Sequence, residues 1–502
     1  MSTFPVLIVV SVITLLFLFK LVRKHKRDST KNYPNGSMGF LPVIGESLSF
    51  VKAQKANRGQ EWVEERVAKY GPIFKTSLMG GPTVFITGRA GTKFVLGAET
   101  EVLVPRQPVT ISSIMGKHNL FEVAGTKRYK PIRQAMMSFL KPDSLQGHIK
   151  RMDSMVNARI DKDTRGKETI TTLSFMKKLT FHVACQILFG ITDDPTEQAL
   201  YEEFGHCFEA MWSAPLNFPG TTFRKGIQAR KRIVKKILPI MEKRKEQIKK
   251  GTLNPMNDVL SCMLSLETEA AENDDQEEPI TMNEVIDNFV AMMIASHDSS
   301  ASVLTWVIWK LAKDREIYDN VVKEQMSITD ERKQRQQQGG GEADGRLTWG
   351  DVAKMKYTWR VVQEVMRVIP PFFGSFRTAI KDTSYGGYDI PKGWQVFWVA
   401  YATHMNNDIF NDPAKFDPSR FDSKSNIISP YSYLPFGAGH HTCIGLEFSR
   451  VEALVVLHHM VTKFEWSLVN SDEKITRLAL PYPEMGLPIN LIPKNSCWSP
   501  IP

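Results

Sequence analysis

From Phe4 to Val22 the chain is nearly all apolar, broken mainly by Ser11, Thr14 and Lys20, and Arg23, Lys24, His25, Lys26 and Arg27 follow at once. That length just suffices for one membrane-spanning helix. The positive charge comes after the apolar run and no small-residue cleavage site follows it, so the pattern predicts a retained signal-anchor rather than a cleaved leader. The basic flank then places the chain beyond residue 22 on the cytosolic side. Tyr33 to Gly45, with Pro34, Gly36, Gly39 and Pro42, reads as a stiff, turn-rich connector. Apolar spacing of three and four predicts helices over Glu61 to Tyr70, Pro131 to Leu140, Leu173 to Leu188, Ala229 to Lys250, Met282 to Ala312, Ala353 to Val368 and Leu446 to His459. Alternation on either side of Gly80, Gly81 and Pro82 predicts a hairpin of Ile73 to Leu78 and Thr83 to Thr87, and Trp394 to Val399 is strand-like. Glu267 to Glu278 and Gln334 to Gly345 are low-complexity surface loops, and no internal repeat is present. The expected fold class is mostly α with small β-sheets, an α+β globule over 31–502 behind a single N-terminal transmembrane helix and basic flank over 1–30.

Composition alters this picture little. With 502 residues, 42% of them hydrophobic and 28 of them Phe, the chain suits a globule around an apolar cavity as well as a solid interior. Its five cysteines, Cys185, Cys207, Cys262, Cys443 and Cys497, are odd in number, far apart and without a CxxC pair, which argues against a disulfide framework and a structural zinc site. The net charge of +10 is local: Lys20 to Lys31 carries +5 and Arg224 to Lys250 carries +10, leaving the remainder near −5. Two such segments, one beside the apolar run, suit membrane lipid or a solvated helix face, and no nucleic-acid partner is expected.

The most specific chemistry lies at Phe436 to Gly445, FGAGHHTCIG, just before the helical run Leu446 to His459. A cysteine in a glycine-rich loop at a helix start meets amides and a helix N-terminus, which are expected to lower the Cys443 thiol pKa toward thiolate, a strong metal ligand. Gly437, Gly439 and Gly445 allow the backbone to turn and approach a planar group closely. Taken alone, any one of the five cysteines is a small buried apolar residue. The neighbouring His440 and His441 would need further ligands at suitable spacing to form a metal site of their own.

This segment resembles the haem-binding loop of cytochromes P450, with Phe436, Gly437, Gly439, a basic residue and Cys443 at the family's spacing. Where the family usually has an arginine that neutralises a haem propionate, His441 stands. Glu364 and Arg367, three apart on VVQEVMRVIPP, resemble the family's ExxR pair, and FDPSRF supplies Arg420 to complete a buried network under the cysteine loop. Met282 to Lys310 resembles the long helix over the distal haem face, whose acid and alcohol would be Asp298 and Ser299. Ser296 and Ser299 replace the usual glycine and threonine. By the same resemblance Arg133, on YKPIR with Tyr129, and Arg377, after PPFFGSF, meet propionates. Phe372, Phe373, Val109 to Ile114 and Met211 to Phe218 would border a substrate pocket.

The resemblance runs on to GLPINLIP at 486–493, and SFLKPDSL, YGGYDIPKGW and FDPSRF look most like the plant clan that oxidises triterpenoids, taxane diterpenoids and steroid-like hormones. It implies heme (iron protoporphyrin IX) on an axial cysteinate, O2, an apolar terpenoid-like substrate, and monooxygenation on the cytosolic face of the endoplasmic reticulum membrane. No GxGxxG unit is present, so electrons are expected from a separate flavoprotein, which the resemblance implies is NADPH-cytochrome P450 reductase drawing on NADPH. The alternatives are a haem-thiolate lyase or isomerase that needs no external electrons, which Ser296 and Ser299 motivate, and a non-catalytic haem-binding membrane protein.

Overall fold

A computed structural model of the chain describes residues 31–39, 45–97, 102–269, 279–337, 345–422, 428–477 and 479–494. The expected anchor and basic flank, residues 1–30, lie outside them; among the described residues no helix is long and apolar enough to cross a membrane.

The hairpin forms where its turn chemistry demands. Ile73–Leu78 pairs antiparallel with Gly81–Ile86, and the two turn residues Met79 and Gly80 both take positive φ, 50° and 87°, as the favoured two-residue hairpin turn requires. The second strand then pairs in parallel with Gln395–Val399, which pairs in turn with Gly374–Ala379, with Leu103–Val104 at the far edge. Helices Ser47–Lys55 and Gly59–Tyr70 cover one face through an aromatic cluster in which Phe50 meets Trp62 at 5.0 Å and Phe397 at 5.8 Å between ring centroids. Phe373 also belongs to this cluster.

Around this sheet stands a helical body with one large core. Its axis is Met282–Lys313, started by a reciprocal cap in which Thr281 accepts from the Glu284 amide and Glu284 accepts from the Thr281 amide. The helix packs against Thr172–Val183, Lys356–Val368 and Leu446–Lys463, so its centre is buried on nearly every side, polar residues such as His297, Asp298 and Ser302 included. Between 284 and 308 only Met292, Ala295, Ser296, Ser299 and Val303 are not fully buried. Their spacing puts them on a single face, which is therefore the side open to a cleft.

Several boundaries differ from the sequence pattern. Ala353 to Val368 is two helices, Trp349–Lys354 and Lys356–Val368, because Met355 leaves helical geometry at ψ 52°. Leu173 to Leu188 is α-helical to Val183 and continues as a π-turn over Ala184–Leu188. The low-complexity segments begin inside helices, since Val259–Glu269 and Arg315–Gln337 extend into both. Periodicity also passed over Ile149–Thr164 and Asp194–Met211.

Glu452 on Leu446–Lys463 is fully buried. Its polar neighbour is the Ser300 hydroxyl of the long helix, and neither carboxyl oxygen makes a well-formed hydrogen bond among the described residues. Burial, opposed only by that hydroxyl, raises its pKa to about 8, so the carboxyl is protonated at neutral pH. Folding thus takes up a proton as pH falls below about 8. The resulting stability is complete below the unfolded carboxylate value and lost as pH rises through the folded one. Glu452→Gln mimics the protonated form, and its stability advantage over wild type is expected to widen between pH ~5 and pH ~8.5 by at least about 1 kcal/mol. Denaturant midpoints of the holoprotein at both pH values check this; a gap that does not change with pH contradicts it.

Candidate haem site

The cysteine loop is built by short hydrogen bonds to its own backbone carbonyls. Gly437 N–H donates to Leu434 O at 3.0 Å, Cys443 N–H to Phe436 O at 2.9 Å and Thr442 Oγ1 to Gly439 O at 2.7 Å. Gly437 and Gly439 take positive φ, 68° and 71°. At Gly439 a Cβ would come within 2.1 Å of Leu96 O, so no larger residue fits between the loop and helix Gly88–Gly97. Cys443 is exposed at the loop's surface although it lies deep in the fold. The expectation of a lowered thiol pKa is corrected here. Desolvation by the surrounding protein raises it, and the Gly445 amide and the Arg133 charge oppose that without reversing it. The thiolate is thus a product of metal ligation, which deprotonates a coordinating thiol outright.

Near the cysteine stand cations that no carboxylate neutralises among the described residues. Arg377 is 7% exposed, and its Nη1 donates to the adjacent Phe376 O at 3.0 Å. Burial pulls its pKa down to about 10, which leaves it charged. Arg133 is half-buried and reaches Tyr129 Oη at 3.5 Å. Neither makes an ion pair among the described residues. His441 Nδ1 is 3.0 Å from the same phenol, and its Nε2 is buried without a partner. Burial first, then Arg377, Arg133 and His440, lowers its pKa to about 4, so His441 is neutral at physiological pH. The Tyr129 hydroxyl has one proton and two acceptors in reach, His441 Nδ1 and His440 O at 3.1 Å. When it donates to Nδ1, Nε2 carries a hydrogen and becomes a donor.

Glu364 and Arg367 are both fully buried and form a two-pronged ion pair, Nε to Oε2 and Nη2 to Oε1, each 2.7 Å. Asp417 N–H donates to Glu364 Oε1 at 2.8 Å, and Arg420 Nε lies 3.4 Å from the same oxygen. Arg420 also holds Asn411 O at 2.6 Å and Asp412 O at 2.8 Å. Sequence reasoning missed how this network reaches the cysteine. Arg367 Nη1 donates to His404 O at 3.0 Å, and the His404 ring accepts from Leu434 N–H at 2.8 Å, two residues before Phe436. Burial lowers the His404 pKa to about 3. The ring is neutral, and with Nε2 accepting, Nδ1 carries the hydrogen offered to Arg367 O at 3.2 Å. Tyr433 adds a second tie to Gln363 O at 3.0 Å. His404 sits in no motif, so nothing in the sequence marked it.

Asp298 and Ser299 are not brought together. Ser299 lies on the open face of the long helix, where its Oγ donates to Ala295 O at 2.7 Å. Asp298 is 3% exposed and points to helix Thr172–Val183, where Lys177 Nζ is 2.7 Å from Oδ1. Lys177 also lies 4.4 Å from the centre of the Tyr482 ring. Phe372 is 47% exposed and Phe373 is 8% exposed, packed 6.3 Å from Phe50; Phe373 thus packs mainly into the core and shows an edge to a recess that it shares with Tyr401 and Arg477.

An exposed cysteine on a rigid loop, two uncompensated arginines and an orphaned imidazole nitrogen fit the sulfur ligand and the two propionates that a haem requires, and they define a haem-thiolate protein. Residues 34–492 match the family model for cytochrome P450, and the chain belongs to that family. It is similar to a taxane 13-alpha-hydroxylase of Taxus cuspidata, 36% identical over 474 residues and 94% of each chain. It is also similar to a beta-amyrin 28-monooxygenase of Barbarea vulgaris, 36% identical over 485 residues, 95% of this chain and 97% of the relative. Among solved structures, the retinoic-acid-bound cyanobacterial CYP120A1 aligns with a TM-score of 0.79 at 26% identity, over 93% of this chain and all of that one. The protein is a monooxygenase of this family, with haem on a cysteinate. Among the described residues no cluster of His, Cys, Asp and Glu could hold a metal ion, which leaves His440 and His441 without a metal site of their own.

Proposed function

We propose that this enzyme hydroxylates an apolar, terpenoid-like substrate, using O2 and electrons passed from NADPH by NADPH-cytochrome P450 reductase at the cytosolic face of the endoplasmic reticulum membrane. The taxane and beta-amyrin skeletons in the names of its relatives support the substrate class. The observation that carries the chemistry is Cys443, exposed near Arg133 and Arg377, which no carboxylate neutralises among the described residues.

Bound haem supplies one-electron reduction and activation of dioxygen. Cys443 would be its sulfur ligand, and Arg133, Arg377 and His441 would hold its propionates. Phe436, Gly437 and Gly439 shape the loop beneath it, and Glu364, Arg367 and Arg420 keep that loop in place. On the cleft face, Ser299 is the group that hands on a proton. To do so its hydroxyl turns from Ala295 O toward the cleft, and serine, without the methyl that stiffens threonine, makes that turn freely. For Asp298 to join that path its carboxylate must leave Lys177, whose side chain is 25% exposed, and turn toward Ser299. Phe372 borders the substrate.

Ser299→Ala is expected to keep the haem spectrum while product per NADPH falls about tenfold or more and peroxide rises, because a positioned proton donor is worth ~10²–10⁴ in rate. An unchanged product-to-NADPH ratio would remove Ser299 from the path. The reading as a whole is tested in microsomes with the reductase. A reduced carbon monoxide spectrum of the thiolate type and NADPH-dependent products from a terpenoid screen are expected. Full turnover without NADPH would replace it with a lyase or isomerase.

A further inference from the structure

Arg477 is a buried cation without a counter-ion among the described residues. It ends the strand Ile475–Arg477, which pairs with Pro481–Pro483. Pro481 O accepts from Ser302 Oγ at 2.6 Å and from Trp306 Nε1 at 2.9 Å, so the hairpin is fixed to the long helix. Arg477 is 4% exposed. Its Nε donates to Asn57 Oδ1 at 3.0 Å and its Nη1 to Pro370 O at 2.8 Å. Both acceptors are neutral, and among the described residues Nη2 has no partner and no carboxylate forms an ion pair with the group. Burial lowers its pKa only to about 10, so the charge persists at neutral pH.

The guanidinium lines a recess of about 240 Å³ shared with Asn57, Gly59, Glu61, Phe373 and Tyr401. Glu61 sits exposed at the rim. A second buried donor is also orphaned nearby. Gln54, 7% exposed, has an unpartnered Nε2 lying over Gly59, where a Cβ would meet it at 2.3 Å. An uncompensated buried charge is costly, and a planar fork with free N–H groups matches a carboxylate in two-pronged geometry. The recess is smaller than the ~300–1,000 Å³ that takes a whole ligand, and Phe373 and Tyr401 give it apolar walls.

We infer that Arg477 is a head-group subsite for the carboxylate of an apolar acid, with the acid's hydrocarbon part running out along Phe373. That such an acid is a substrate rests on the monooxygenase reading; that it binds does not. The test is calorimetric titration of the holoenzyme with decanoic acid and methyl decanoate. The acid is expected to bind wild type about tenfold more tightly than the ester. Arg477→Gln should lose that preference while leaving ester affinity unchanged, and Arg477→Lys, a charge without the fork, should keep part of it. Equal affinity of acid and ester for wild type would overturn the inference, as would an intact preference in Arg477→Gln. Displacement of the acid by an equal concentration of sodium acetate would overturn the apolar-acid assignment in favour of a small free anion. Should Arg477→Gln fail to fold, the acid–ester comparison on wild type and the lysine variant still decide. A reduced carbon monoxide spectrum on each protein separates a failed haem-thiolate reading from a failed Arg477 reading.

Discussion

Glu364→Ala is expected to give protein with almost no bound haem. The substitution strands Arg367, fully buried, without either of its 2.7 Å partners, and leaves the Asp417 amide without its acceptor. Breaking a buried pair from one side costs about 3–5 kcal/mol, because the remaining charge is uncompensated. The damage also travels. Arg367 holds His404 O, and the His404 ring holds Leu434 N–H at the root of the cysteine loop. Haem-to-protein ratios after purification measure the outcome, and normal haem content in the variant would refute this role. Glu364→Gln should be milder, since it keeps one acceptor oxygen but not the charge.

Cys443→Ser is expected to separate haem binding from haem chemistry. Arg133, Arg377, His441 and the network behind the loop are untouched, so part of the haem content should survive. The serine hydroxyl is a far weaker ligand than a thiolate, so the reduced carbon monoxide complex should lose its thiolate-type Soret band. Product should fall to background, because the chemistry that haem would supply here depends on a thiolate ligand. Retention of that band would move the ligand to another residue. The two variants fail differently, one by losing the cofactor and the other by losing its electronic character.

The sequence displayed what repeats or is locally encoded. The long helix and the hairpin follow from apolar spacing and from Gly80 in the turn. The cysteine loop, the Glu364–Arg367 pair and Arg420 stood out through their motifs, and the structure joins the last three through one carboxylate. Contacts between distant segments were hidden. Lys177 lies 121 positions before Asp298 on an unremarkable helix face, and His404 bridges two segments from within neither motif. The break at Met355 escaped notice because methionine is a good helix former. The Cys443 thiol was misjudged because local amides can be read from the loop, whereas burial is a property of the whole fold.

The His404 bridge carries a direction as well as a shape. One end of the ring accepts from Leu434 N–H and the other donates to Arg367 O. Tolerance at position 404 is therefore set by polarity before size. Glutamine, which accepts at one end and donates at the other, preserves the sense of the relay in a smaller volume. Leucine fills the space and cuts it, and lysine, with donors only, faces the Leu434 amide hydrogen with a like partial charge.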